Sequence, residues 1–202
     1  LKTEPAANFG VLDQAFIDAA VAAGHEHIDD FNGPCRTGVA RVDSTVSKGV
    51  RQSSAIAYLA RKRSNLALLT NRQVARVRIK NGRAHAVETV SGEVISARQE
   101  IILCQGAFGT PQLLMLSGIG PAEHLRDHCI APIVDLPGVG ENLADHVDVS
   151  IQYGSHFAEL SHARHQRLDR AVMLMARWLM NGSGPGGGSL FSVVLFNAAG
   201  DK

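Results

Sequence analysis

Several things are scarce in this sequence, and each scarcity removes a class of function. Cysteine is rare: Cys35, Cys104 and Cys129 are odd in number, widely separated and outside any CxxC pair. That pattern suggests neither a disulfide framework nor a zinc site, and it fits a reducing, cytoplasmic compartment. Charge of one sign is lacking too, with 20 Lys plus Arg against 19 Asp plus Glu. No strong field is therefore available to hold nucleic acid or an anionic membrane. No apolar run reaches the length of a membrane span, and neither an initiating Met nor a signal-peptide core stands at the start. The expectation from both termini is that the chain is cut from something longer, with any localisation signal out of sight. No internal repeat is present.

What is there suffices for a core, since 45% of the 202 residues are hydrophobic and 19% charged, too apolar a mixture to stay disordered. Leu12, Ala15, Phe16, Ala19, Ala20 and Ala23 follow a helical period, which predicts an amphipathic helix over 13–23 stopped by Gly24. A long loop with short strands follows to Gly49. Ser53 and Ser54 offer N-caps for a second helix through Ile56 and Leu59, ending among Arg61, Lys62 and Arg63. Residues 66–69 read as a short buried strand. Ala75, Val77 and Ile79 then alternate with Arg76, Arg78 and Lys80, and Asn81-Gly82 is a strong hairpin signal. With a second turn at Ser91-Gly92, the region predicts an antiparallel meander. Ile101-Ile102-Leu103 reads as one more short strand. Beyond Asp145 a strand is expected over 147–153. A helix follows with Leu168, Val172, Met175 and Leu179 on one face, stopped by Asn181-Gly182. A flexible glycine-rich connection over 182–189 leads to a strand over 191–196.

The most informative stretch is Gly106-Ala107-Phe108-Gly109-Thr110-Pro111-Gln112-Leu113-Leu114-Met115-Leu116-Ser117-Gly118-Ile119-Gly120. It reads as a buried strand ending at Cys104, a glycine turn, and a helix capped by Thr110 with Pro111 at its first position. Gly118 ends that helix in the left-handed conformation, and Pro121 begins the next at Ala122. N–H groups at such a turn could face an anion or a flavin nucleotide, and a tight structural turn is the alternative.

This run resembles the second signature of the glucose-methanol-choline (GMC) flavoproteins. Residues 136–146, Leu-Pro-Gly-Val-Gly-Glu-Asn-Leu-Ala-Asp-His, resemble a further motif of the same family at the usual distance downstream. Asp30-Phe31-Asn32-Gly33, Ala55-Ile56-Ala57-Tyr58-Leu59 and Asn65-Leu66 are similar to it upstream, in the same order. The resemblance implies a mixed α/β (α+β) fold, a p-hydroxybenzoate hydroxylase-like FAD-binding domain interleaved with an antiparallel-sheet substrate domain, incomplete at both ends. Residues 1–50 would belong to the substrate domain, 51–146 to the FAD-binding domain and 147–202 to the start of the substrate domain again. The implied cofactor is FAD and the implied reaction is oxidation of a small-molecule alcohol or polyol by hydride transfer to the flavin, with the electron acceptor left open. Hydroxynitrile lyases share the fold and form an alternative, as does a non-catalytic truncated chain.

The family's GxGxxG and its catalytic His match nothing in this sequence, so no catalytic residue is assigned. What the resemblance implies here is Val74, at the position whose backbone meets the adenine, and Gly106 and Ala107, at the turn beside the nucleotide. Among the nine histidines, His124 with His128 and His162 with His165 have pairwise spacing but no third ligand, so no metal site is expected. His146 falls in a structural stretch, and Cys104 reads as a small core residue. Choline-type members carry an acidic residue near the position of Ser192, so this departure speaks against a quaternary ammonium substrate. Cys129 stands where many relatives have Gly, so its helix must end without the usual left-handed glycine.

Overall fold

The computed structural model describes residues 1–61, 63–154, 156–157, 167–184 and 191–197. In chain order they form β1 (Glu4–Pro5), α1 (Val11–Ala22), β2 (Gly38–Arg41), β3 (Asp43–Ser44), β4 (Val46–Ser47), β5 (Val50–Arg51) and a π-helical turn (Ala55–Leu59). There follow β6 (Val74–Lys80), β7 (Arg83–Thr89), β8 (Val94–Ser96), α2 (Gly106–Leu116), β9 (Ile119–Gly120) and α3 (Ala122–Asp127). The series ends with β10 (Val134–Asp135), α4 (Leu168–Asn181) and β11 (Val193–Phe196). The fold is mixed α/β, and it divides into two compact units, 1–64 with 152–202, and 65–151.

The 65–151 unit is built around the meander β6-β7-β8, antiparallel throughout. Asn81 at φ 52° and Gly82 at φ 73° supply the two positive dihedrals of a type I′ turn, whose twist matches that of the flanking strands. Alternation along β6 turns Val77 into the core, while exposed Arg76 and Arg78 grip Glu88 on β7, with Nε to carboxylate distances of 2.9 and 2.8 Å. The free edge of β6 is covered by α2, because the Val77 N–H donates to Ser117 Oγ at 2.8 Å. Gly118 at φ +82° ends α2 as expected; a Cβ there would lie 2.8 Å from the Ala131 carbonyl oxygen. Parallel β9 and β10 then bring Asp135 to the first turn of α3, where its carboxylate accepts from the Ala122 N–H at 3.0 Å. Leu125 of α3 is almost wholly buried.

The other unit joins distant segments. Its core is Ile17 and Ala20 of α1 with Val39 of β2, packed against Phe9, Val193 and Leu195, and β2 pairs antiparallel with β11. Asp13, expected near the helix start, lies in the first turn of α1. One oxygen accepts from the Gly10 N–H at 2.7 Å and the other from the Ser192 hydroxyl at 2.8 Å. Arg41 donates to the Ala6 carbonyl at 2.6 Å and lies over the Phe9 ring. α4 stops at Gly182, φ +66°, the left-handed cap its Asn-Gly ending calls for. Gly182 and Gly49 cross so closely that a Cβ on either would overlap the other's backbone neighbourhood. Trp178 seals that crossing by donating from Nε1 to the Gly49 carbonyl at 2.8 Å.

Five expectations need correction. Residues 66–69, 101–103 and 147–153 are not strands, and apolar side chains there stand in the open, Ile102 at 74% and Val147 at 95% exposure. The cause is the want of a ladder: no described strand runs beside them, and an unpaired extended segment buries nothing. Cys104 is accordingly exposed and not a core residue. The helix expected after Ser53 shrinks to the π-helical turn. Ser53 Oγ accepts from the Ile56 N–H at 3.3 Å, but none of its residues is buried, and a helix this short needs packing to persist. The expected connection over 182–189 lies largely outside the described residues.

Candidate functional site

α2 sets the geometry of the candidate site in the 65–151 unit. It begins at Gly106, four residues before the expected cap at Thr110, so Pro111 falls inside the helix. Its lacking N–H cannot complete the α-helical bond to the Ala107 carbonyl, which loosens the ladder in the first turns. Gly106 takes φ +78°, open to glycine and strained for other residues, and no atom lies within 4 Å of the place a Cβ would occupy. No side chain caps the start of α2. The first-turn N–H groups are left to solvent or to a ligand, at the positive end of the helix dipole. Gly109 has its own reason, since a Cβ there would meet Gln105 Cβ at 2.8 Å.

Beside α2 lies an open cleft of about 930 Å³, within the range of small-molecule sites. Ala107, Thr110 and Leu114 form one wall, His124 and His128 a second, and the loop 138–144 a third. The loop is pinned by shape: Gly140 sits at φ +84°, where a Cβ would stand 2.6 Å from Met115 Cε.

The expected residues are placed unevenly. Gly106 and Ala107 are adjacent at the exposed start of α2, and Ala107 lines the cleft. Val74 is half-buried at the start of β6, paired with Thr89 ahead of a β-bulge, and it does not line the cleft. Among the described residues, one hydrogen bond links β6 to the C-cap of α2, that from the Val77 N–H to Ser117. Ser117 is the residue that sequence reasoning passed over. Its hydroxyl also donates to the Leu113 carbonyl at 2.6 Å, back-bonding of a kind a serine late in a helix makes available.

Of the other candidates, His124 and His128 stand on the cleft wall. The His124 and His128 rings meet edge to face, centroids 4.7 Å apart, and no group of three potential metal ligands occurs among the described residues. His162 and His165 lie outside the described residues. His146 is exposed, its N–H donating to the Asp145 carboxylate. Ser192, near the position where choline-type members carry an acidic residue, is buried and its hydroxyl donates to Asp13. Glu88 is the perturbed carboxyl of this unit: hydrogen bonds from Arg76 and then Arg78 hold it below its ordinary value. It belongs to the sheet and not to the cleft.

The arrangement fits the phosphate-bearing part of a nucleotide. An uncapped helix start, a glycine backbone free for close approach, and an adjoining cleft are what such a group needs.

Comparison with known proteins agrees with that chemistry. The profile of the GMC oxidoreductase family matches residues 3–148. An oxygen-dependent choline dehydrogenase of Photobacterium profundum is 42% identical over 190 residues, 92% of this chain and 33% of the relative. Another from Sinorhizobium fredii is 46% identical over 147 residues, 70% of this chain and 26% of the relative. Among solved structures, a pyridoxine 4-oxidase from Mesorbium loti is similar with 30% identity and a TM-score of 0.62, covering 67% of this chain and 28% of that one. A formate oxidase of Aspergillus oryzae RIB40, described by its FAD modification, reaches a TM-score of 0.71 at 25% identity, covering 95% of this chain and 34% of that one. The chain spans about a third of the length of the curated relatives it matches over most of its own length.

Proposed function

We propose, since this chain belongs to the GMC oxidoreductase family, whose cofactor is FAD, that it supplies part of the FAD-binding and substrate-domain framework of an enzyme oxidising the CH–OH group of an alcohol or polyol. The observation that carries the reading is the start of α2, where Gly106 at φ +78° opens a helix without a side-chain cap. In this reading the backbone of Gly106 and Ala107 holds the nucleotide end of FAD, and the backbone of Val74 meets the adenine. The N–H groups of the first turn of α2 meet the phosphate charge in a direction set by the helix dipole. When bound, FAD supplies the acceptor for the hydride that leaves the alcohol carbon.

The 65–151 unit then belongs to the FAD-binding domain and the other unit to the substrate domain, interleaved in sequence. The catalytic His and the glycine fingerprint for the ADP end of FAD match nothing in this chain, so the chain alone is inactive. The unpaired apolar segments 66–69, 101–103 and 147–153 support this, because an extended run with such exposure is stable only when a neighbouring strand covers it. Ser192, buried against Asp13, offers no anion to a quaternary ammonium group. This departure speaks against a quaternary ammonium substrate, although relatives bear the name choline dehydrogenase.

The test is a visible absorption spectrum of the full-length protein that carries this segment, beside the 202-residue chain, each purified after exposure to FAD. Flavin bands in the former that bleach on adding an alcohol, with none in the chain alone, are expected. A colourless full-length protein would overturn the flavoenzyme reading.

A further inference from the structure

Resting on the FAD reading above, we propose that Ser117 is a positioning residue for the cofactor. It ties the end of α2, the helix whose start carries Gly106 and Ala107, to β6, where Val74 stands. Ser117 is buried at 5% exposure and sits immediately after the last residue of α2. Its hydroxyl uses both its capacities, accepting from the Val77 N–H at 2.8 Å and donating to the Leu113 carbonyl at 2.6 Å. One bond reaches the sheet and the other reaches back into the helix, so the hydroxyl transmits the position of the strand to the helix axis. A hydroxyl can do this because it is donor and acceptor at once.

The two groups it relates are at opposite reaches of the same assembly. Val74 is three residues from Val77 along β6, and Gly106 is eleven residues before Ser117 along α2. A helix of that length spans about 16 Å, so a tilt of about 4° at the Ser117 end moves Gly106 by about 1 Å. Misplacement on that scale weakens a site assembled from backbone groups. The other ties at this end, the Ile133 and Val134 N–H groups donating to the Gly118 carbonyl at 2.7 and 3.1 Å, hold the chain to the β10 side. Packing also joins α2 to β6, and to that packing Ser117 adds the directional hydrogen bond.

The experiment uses the full-length protein carrying this segment, with Ser117→Ala, Ser117→Thr and Ser117→Cys, and FAD as the probe. FAD affinity is measured by flavin fluorescence on reconstituting the apoprotein, with far-UV circular dichroism and apoprotein Tm alongside. At a temperature well below the apoprotein Tm, Ser117→Ala is expected to keep the wild-type dichroism and to bind FAD about tenfold or more weakly. Ser117→Thr, which keeps the hydroxyl, stays within about threefold of wild type. Wild-type FAD affinity in Ser117→Ala, with only the Tm lowered, would overturn the proposal and leave Ser117 a stability residue. If Ser117→Ala does not fold, Ser117→Cys takes its place, because the thiol has the shape but is a weak acceptor. Affinity weakened in Ser117→Cys and kept in Ser117→Thr then supports the tie, and equal affinities overturn it. A wild type that takes up no flavin at all would overturn the FAD reading and this inference with it, by a result distinct from any difference among variants.

Discussion

The 65–151 unit and the unit formed by 1–64 with 152–202 reach comparable folded states by different means. In the first, the sheet is a meander of consecutive strands, and its furthest side-chain tie, Ser117 to Val77, spans 40 positions. In the second, Trp178 reaches Gly49 across 129 positions and Ser192 reaches Asp13 across 179. Closing large loops costs entropy before any contact is gained. The second unit therefore concentrates its cohesion in a few stitches, and the loss of one is not shared among neighbours.

The sharpest way to break this contrast is at the glycine crossing. Gly49 lies at φ +72°, and a Cβ there would overlap the Gly182 carbonyl. Gly49→Ala thus combines a left-handed alanine with a backbone clash, and it is expected to destabilise its unit by roughly 3 kcal/mol or more. The measurement is chemical denaturation followed by the fluorescence of Trp178, the single tryptophan, whose indole N–H bonds to Gly49 itself. Amide exchange protection of the β6-β7 hairpin should be unchanged. A Trp178 transition at the wild-type midpoint would show that the crossing is dispensable and the contrast false.

The same contrast explains what could be read from the sequence. The hairpin at Asn81-Gly82, the stop at Gly118 and the helix after Pro121 were legible because each is decided by residues a few positions apart. The α4 stop at Gly182 was legible for the same reason. The apolar runs at 66–69 and 147–153 carry as good a strand pattern as β6, but a strand needs a neighbour, and the pattern does not say where one is. Gly106 was legible as a turn. The helix start there, ahead of Thr110 and Pro111, was not, because the usual preference for proline at a first helical position pointed five residues downstream. Ser117 was missed because its partner, the Val77 N–H, is a backbone group that any sequence offers. The bond from Ser192 to Asp13 was not legible because the two lie near opposite ends of the chain.

Within the local unit, one position breaks a local rule. Cys129 follows α3 and takes φ +58°, a left-handed cap made without the glycine that favours it. It has no disulfide partner and is exposed, so nothing else depends on its side chain. Cys129→Gly relieves the dihedral strain but adds backbone freedom to the unfolded chain, leaving a net gain of about 1 kcal/mol at most. Thermal unfolding followed by far-UV circular dichroism would register it, and a lowered Tm would mean that the thiol packs in a way its exposure does not reveal.

The smallest effect sharpens the comparison from the side of charge, because the ladder of Arg76, Glu88 and Arg78 lies wholly within the local unit. Hydrogen bonds from Arg76 and Arg78 hold the Glu88 carboxyl below its ordinary value, and its partner raises the Arg76 guanidinium. A carboxyl depressed in the folded state adds stability that is fully present above its unfolded pKa and is lost as pH falls through the folded one. The raised Arg76 is the same pair seen from its other member; Arg76 stays charged from acid to neutral pH, so the pH dependence of the pair follows the titration of Glu88. Glu88→Gln should therefore flatten the acid limb of the stability profile and lower the neutral plateau slightly, since the arginines are solvent-exposed and the pairs are screened. The check is the denaturation midpoint of this unit at neutral pH and at a pH below the carboxylate range, in low and high salt. The difference between wild type and variant should shrink toward the acid end and, at neutral pH, with added salt. A difference that persists in acid would mean that Glu88 acts through packing against its cross-strand neighbours and not through its charge.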